Sequence, residues 1–183
     1  MIEVLRLNHR AGRDPRVTTH LFLCSRAFGA SKAYYSGDRD FSLEENIKKV
    51  VKKFGGDFTV EFVDNPLKLI KAKKSKIVHL TMYGINIQNK INDIKKYENI
   101  LIIVGGEKVE PIYYNISDYN ISITNQPHSE ISSICLFLDY YFDRKELNKQ
   151  FDNGEVVVSG VERGKKVIKT LGKGLKNAKS LNY

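Results

Sequence analysis

Short apolar runs alternate along the chain with stretches whose apolar residues recur every three or four positions. Ile2–Leu7 is a β-like run, and a helix is expected from Pro15, which suits a first turn, to about Phe28, with Gly29 ending it. Lys32–Ser36 reads as a strand. In Ser42–Phe54 the residues Leu43, Ile47, Val50 and Val51 share one helical face, and Ser42 with Glu45 has the spacing of a capping box. Phe58–Val63 alternates like a strand and is followed by a lysine-rich helix from about Pro66, then by the strand Lys76–Met82. Ile87–Tyr97 reads as a polar helix with Ile87, Ile91 and Ile94 on one face. Ile100–Val104 is continuously apolar, the pattern of a strand covered on both sides. Tyr119–Ile123 reads as a strand, His128–Leu147 as a long helix with an apolar stripe, and Val156–Ser159 as a last strand. Strand and helix alternate throughout, which predicts an α/β fold with a mostly parallel sheet and helices on both faces.

Composition narrows the class. With 42% hydrophobic and 28% charged residues the chain has the make-up of a folded globular protein. Two cysteines, Cys24 and Cys135, supply neither a disulfide framework nor a four-cysteine metal site. No apolar run reaches the roughly 18 residues of a membrane span. The first residues lack the basic and apolar regions of a signal peptide, so a cytoplasmic protein without a membrane partner is expected. The formal charge is +9. It is clustered: Arg6, Arg10, Arg13, Arg16 and Arg26 with His9 and His20; then Lys68, Lys71, Lys73, Lys74 and Lys76; then seven basic residues and no acidic one from Arg163 onward. Three clusters point to a polyanion such as nucleic acid. Residues 161–183 are expected to form a basic, partly flexible extension of a domain spanning 1–160.

In an open parallel sheet, ligands bind beyond the carboxyl ends of the strands. Three such ends stand out: Leu80–Gly84, Gly105–Val109, and the polar run Thr124–Glu130 before the long helix. Paired glycines after a buried strand allow close approach to the backbone. Neither G-x-G-x-x-G nor a P-loop is present. N-capping accounts for one or two residues of the run 125–130, not for six.

Five blocks in order then resemble a known family: Leu5-Arg6-Leu7-x-His9-Arg10, Arg13-Asp14-x-Arg16-Val17-Thr18-Thr19-His20, His79-Leu80-Thr81-Met82-Tyr83-Gly84, Ile103-Val104-Gly105-x-Glu107-Lys108-Val109 and Asn125-Gln126-Pro127-His128-Ser129-Glu130. Together they resemble the archaeal tRNA ribose 2′-O-methyltransferases of the SPOUT class, which modify cytidine 56 in the TΨC loop. The likeness spans residues 2 to 143 and returns at 163–167. Asn8 departs from the glycine expected there, and the chain after about Leu171 matches no family motif.

The resemblance implies a C-terminal deep trefoil knot and S-adenosyl-L-methionine as cofactor. Carried over residue by residue, the cofactor contacts fall on Leu80, on Gly105, Gly106, Glu107, Lys108 and Val109, and on Ile123, Thr124, Asn125, Gln126, Pro127, His128, Ser129 and Glu130. It also implies a homodimer with the active site at the subunit interface, a tRNA substrate and no metal. Arg16 is the first candidate catalytic residue, followed by Arg10 and His20. An arginine stays protonated, so Arg16 suits a phosphate or developing alkoxide charge; His20, one helical turn on, suits proton transfer. The competing readings are a SPOUT enzyme with another target nucleotide and a non-catalytic RNA-binding homologue.

Overall fold

The computed structural model describes residues 1–13, 15–106, 108–170 and 179–182. Its main sheet contains β1 (Ile2–His9), β2 (Lys32–Gly37), β3 (Thr59–Phe62), β4 (Lys76–Asn86), β5 (Ile100–Val104) and β6 (Tyr119–Ser122). The order is β3-β2-β1-β5-β4-β6, and every pairing is parallel. The helices are α1 (Pro15–Ala27), α2 (Phe41–Phe54), α3 (Pro66–Ala72), α4 (Ile91–Ile94), α5 (Pro111–Ile116) and α6 (Glu130–Phe142).

The apolar run of β5 is divided between two cores. Ile100, Ile102 and Val104 pack with Leu21 and Phe22 of α1, Leu43 and Ile47 of α2, and Ile134, Phe137 and Leu138 of α6. Leu101 and Ile103 face the other way, toward Ile70 of α3 and Tyr113 of α5. All five residues are buried, as a strand with helices on both faces requires. Cys24 and Cys135 are free thiols, partly buried against the first of these cores.

Several boundaries differ from expectation for local reasons. The cap of α2 is Asp40, whose carboxylate accepts from the Ser42 (2.9 Å) and Leu43 (3.0 Å) amides, so Ser42 with Glu45 is not the capping pair. The expected helix 87–97 is a 3₁₀ turn, Ile87–Asn89, followed by the single-turn α4; its buried Ile87, Ile91 and Ile94 produced the periodicity. The long helix stops at Phe142 because Asp143 turns left-handed (φ 54°), and a 3₁₀ turn, Lys145–Asn148, follows. Helix α5 is unexpected. A second, antiparallel sheet joins β7 (Val156–Ser159) to β8 (Lys166–Lys169) and β9 (Lys179–Asn182), so part of the basic extension is strand.

Asn8 has φ 54°. That left-handed conformation explains why glycine suits the position and why asparagine, the side chain that tolerates it best, can replace it.

Candidate functional site

β1 runs beside β5 with Arg6 opposite Val104, and β4 lies on the other side of β5 with Leu80 opposite Val104. The chain segments leaving these strands therefore emerge at one edge. Strand β4 pairs with β6 as far as Leu80, loses register, and regains it at Ile85. Residues 81–84 between these points stand out from the sheet, with Tyr83 76% exposed. Gly84 permits this because a Cβ there would lie 2.6 Å from the Asn120 backbone.

A cavity of about 260 Å³ opens at this edge, near the ~300 Å³ lower end of ligand sites. Leu80, Met82 and Tyr83 line it from β4, Gly105, Gly106 and Val109 from the loop after β5, and Pro127, His128 and Glu130 from the segment before α6. A Cβ on Gly105 would come 2.0 Å from Val109, so this backbone is exposed to the cavity only with glycine there.

Seven of the expected cofactor residues thus share one cavity: Leu80, Gly105, Gly106, Val109, Pro127, His128 and Glu130. Others build its walls. Asn125 donates to the Met82 (2.6 Å) and Gly84 (3.2 Å) carbonyls, fastening the last loop to the first. The Gln126 carbonyl accepts from His128 Nδ1–H at 2.6 Å, and Ser133 Oγ lies 2.9 Å from His128 Nε2. His128 is therefore a clip that sets the loop's turn. Ser129 caps α6, accepting from the Ile131 amide at 3.1 Å. The Ile123 carbonyl accepts from Asn86 Nδ2 at 3.3 Å. Thr124 and Lys108 are exposed outside the cavity lining, and Glu107 lies outside the described residues.

Arg6 belongs to the N-terminal basic cluster and to the first of the family-like blocks, but neither assigns it a partner. It is 2% exposed; its guanidinium donates to the Gly105 carbonyl and, at 3.3 Å, to Glu130 Oε1. One buried cation thereby ties the loop after β5 to the start of α6.

His79 is also buried and lines the cavity. Its Nδ1 lies 3.0 Å from Asn120 Oδ1, and Asn120 Nδ2 donates to the Tyr114 carbonyl at 2.9 Å. Burial pushes the imidazole below the usual histidine range, against the opposing effect of the Asn120 bond, so the ring is neutral near pH 7.

The candidate catalytic residues sit elsewhere on this chain. Arg16 and His20 are exposed on α1 and Arg10 is half-buried after β1; none of them lines the cavity. Other members of the basic clusters have structural partners. His9 is buried, its Nδ1 2.8 Å from Thr18 Oγ1 and its Nε2 donating to Asp40 at 3.3 Å. Arg26 donates to the Gly55 carbonyl and lies over the Phe151 ring. Lys73 pairs with buried Glu3 (2.7 Å) and Lys76 with Asp118 (2.9 Å). Lys68, Lys71 and Lys74 remain exposed.

The fold matches that of known proteins. A crystal structure of an A. aeolicus TrmH/SpoU tRNA modifying enzyme aligns with a TM-score of 0.59 at 18% identity, over 80% of this chain and 76% of that one. The SpoU methyltransferase AviRb from Streptomyces viridochromogenes, solved in complex with the cofactor AdoMet, aligns with a TM-score of 0.56 at 12% identity, over 79% of this chain and 59% of that one. In sequence, the tRNA (cytidine(56)-2′-O)-methyltransferase of Metallosphaera sedula is 47% identical over 92% of this chain and 99% of its own length. Residues 54–168 match the family described as tRNA ribose 2′-O-methyltransferase, aTrm56. On a shared sheet, a cavity at its carboxyl edge and this identity along nearly the whole chain, the protein belongs to the aTrm56 family of tRNA ribose 2′-O-methyltransferases.

Proposed function

We propose that this protein methylates the ribose 2′-hydroxyl of cytidine 56 in the TΨC loop of tRNA, with S-adenosyl-L-methionine as methyl donor. The observation that carries this reading is the cavity built by three loops at the carboxyl edge of the sheet, in a chain 47% identical to an enzyme named for that reaction. The cavity suits the cofactor chemically. It offers the backbone of Gly105 and Gly106 and the apolar side chains of Leu80, Met82, Val104 and Val109 to an adenosine-sized ligand.

Of the expected cofactor residues, Leu80, Gly105, Gly106, Val109, Pro127, His128 and Glu130 would hold the cofactor, whose sulfonium would supply an activated methyl group. The remaining work is to align the two reactants and to manage one proton. Arg16 brings a guanidinium, a donor-only group, so it binds a phosphate beside the target ribose and stabilises negative charge growing on the 2′-oxygen. Arg10 supports it on the RNA backbone. His20, one turn along α1, accepts the hydroxyl proton.

These three residues lie outside their own chain's cavity, which supports a homodimer in which a second copy brings its α1 to the site. In this reading the methyltransferase domain is knotted through the cofactor loops, and the basic residues of 161–169, tied to it by the pairing of β7 with β8, face the tRNA. The work is done in the cytoplasm; no described helix is long and apolar enough to cross a membrane. Isothermal calorimetry with S-adenosylmethionine tests the reading. One molecule bound per chain, abolished by Gly105→Val, is expected, and absence of binding overturns it.

A further inference from the structure

Two consecutive hydrogen bonds fix the polarity of a buried ring that lines the cavity. The Tyr114 carbonyl only accepts, so the Asn120 atom 2.9 Å from it is the amide nitrogen. The other end of that amide, Oδ1, is then an acceptor and faces His79 Nδ1 at 3.0 Å. Nδ1 must carry the proton. In a neutral imidazole the remaining nitrogen, Nε2, has a lone pair and no hydrogen. It is buried, and it has no hydrogen-bond partner among the described residues. A buried acceptor left unpaired costs stability and is uncommon in folded proteins.

The ring's setting does not let it turn to find one. Its plane stands at 82° to that of Tyr114, with the ring centres 4.6 Å apart. His79 sits mid-strand in β4, opposite Ile103 on one side and Asn120 on the other. Flipping the ring would trade the Asn120 bond for another unsatisfied atom.

We propose that His79 is a ligand-recognition residue: its Nε2 accepts a hydrogen bond from an N–H or O–H group of the adenosyl ligand in this cavity. The inference rests on the reading that S-adenosylmethionine occupies the cavity. S-adenosylmethionine and its demethylated product, S-adenosylhomocysteine, carry such donors on the adenine amino group, the ribose hydroxyls and the amino-acid end. The sulfonium plays no part, so His79 recognises both. Asn120 is the positioning residue, since its fixed amide selects the tautomer that leaves Nε2 as an acceptor.

The test uses the full chain and S-adenosylhomocysteine. His79→Phe keeps a ring of similar size but has no acceptor. His79→Gln places an amide oxygen near the Nε2 position. Both lose the bond to Asn120, so the difference between them reads the acceptor alone. By calorimetry, His79→Phe is expected to bind about tenfold more weakly than wild type, with much of the loss restored in His79→Gln. In ¹⁵N-histidine-labelled wild-type protein, the His79 Nε2 resonance, recognised by its slowly exchanging Nδ1 proton, moves upfield at saturating ligand while Nδ1 stays in place. This second measurement does not depend on the variants folding. Equal affinity of the Phe and Gln variants, or an unmoved Nε2 resonance in a protein that binds the ligand, overturns the inference and leaves the proposed function standing. A wild-type protein that binds no ligand overturns both.

Discussion

At Arg6 a single buried guanidinium bonds both the Gly105 carbonyl and Glu130, so its loss frees two walls of the cavity together. Arg6→Ala is expected to cost on the order of 2 kcal/mol by denaturant titration and to weaken cofactor binding by calorimetry. Lysine at this position keeps the charge but not the planar guanidinium whose Nη1 reaches both acceptors, so it recovers only part of the loss. Asn8 carries a different expectation, because its cost is conformational. At φ 54°, Asn8→Ala should destabilise by about 1 kcal/mol, whereas Asn8→Gly should be neutral or slightly stabilising. His79 adds a pH dependence. Its folded-state pKa lies below the ordinary value, so the unfolded chain takes up the proton first as pH falls. Stability from this residue is complete above the ordinary histidine pKa of about 6.5 and declines below it. In His79→Phe the slope of stability against pH in that range is smaller. Of these residues, sequence spacing marked only the loop positions. The roles of Arg6 and His79 depend on partners 99 and 41 positions away, and a basic residue in a basic cluster looks the same whether it meets a phosphate or a carbonyl.

Elements were legible where one physical cause set the pattern. Buried on both faces, β5 must be apolar at every position, and the run Ile100–Val104 showed its limits. α2 is amphipathic and was legible along its length, but its start was misplaced because Ser42 and Glu45 have the right spacing while Asp40 makes the bonds. Asp40 also accepts from His9 at 3.3 Å. Its own burial raises its pKa, and bonds from Ser42, Leu43 and His9 outweigh that and hold it below the usual carboxylate range. Asp40→Ala should therefore cost about 1–2 kcal/mol in chemical denaturation, with the stabilising effect of Asp40 present near neutral pH and lost as pH falls into the acid range. The elements missed were short or disguised. α5 has six residues and one buried anchor, Tyr113. β8 places Val167 and Ile168 between lysines, and its pairing with β7 comes from contacts that no local pattern announces. The left-handed Asp143 ends α6 without a glycine to mark the stop.

Across the whole molecule, the +9 charge separates into structural and available parts. Arg6, Arg26, Lys73 and Lys76 have protein partners, whereas Lys68, Lys71 and Lys74 are exposed on and just after α3. Reversing those three lysines to glutamate should weaken tRNA binding and reduce the slope of log affinity against log salt by roughly 2, with cofactor affinity unchanged. The activity of the whole molecule is defined by the atom it modifies. The most direct measurement is methyl transfer from S-adenosylmethionine to an unmodified tRNA transcript, with the product mapped by nuclease digestion and mass spectrometry. One 2′-O-methylcytidine, at position 56, is expected from the wild-type chain and none from Arg16→Ala, although that variant still binds the cofactor. Methylation of a different nucleotide, or none by a wild-type protein that binds S-adenosylmethionine and tRNA, would contradict that expectation.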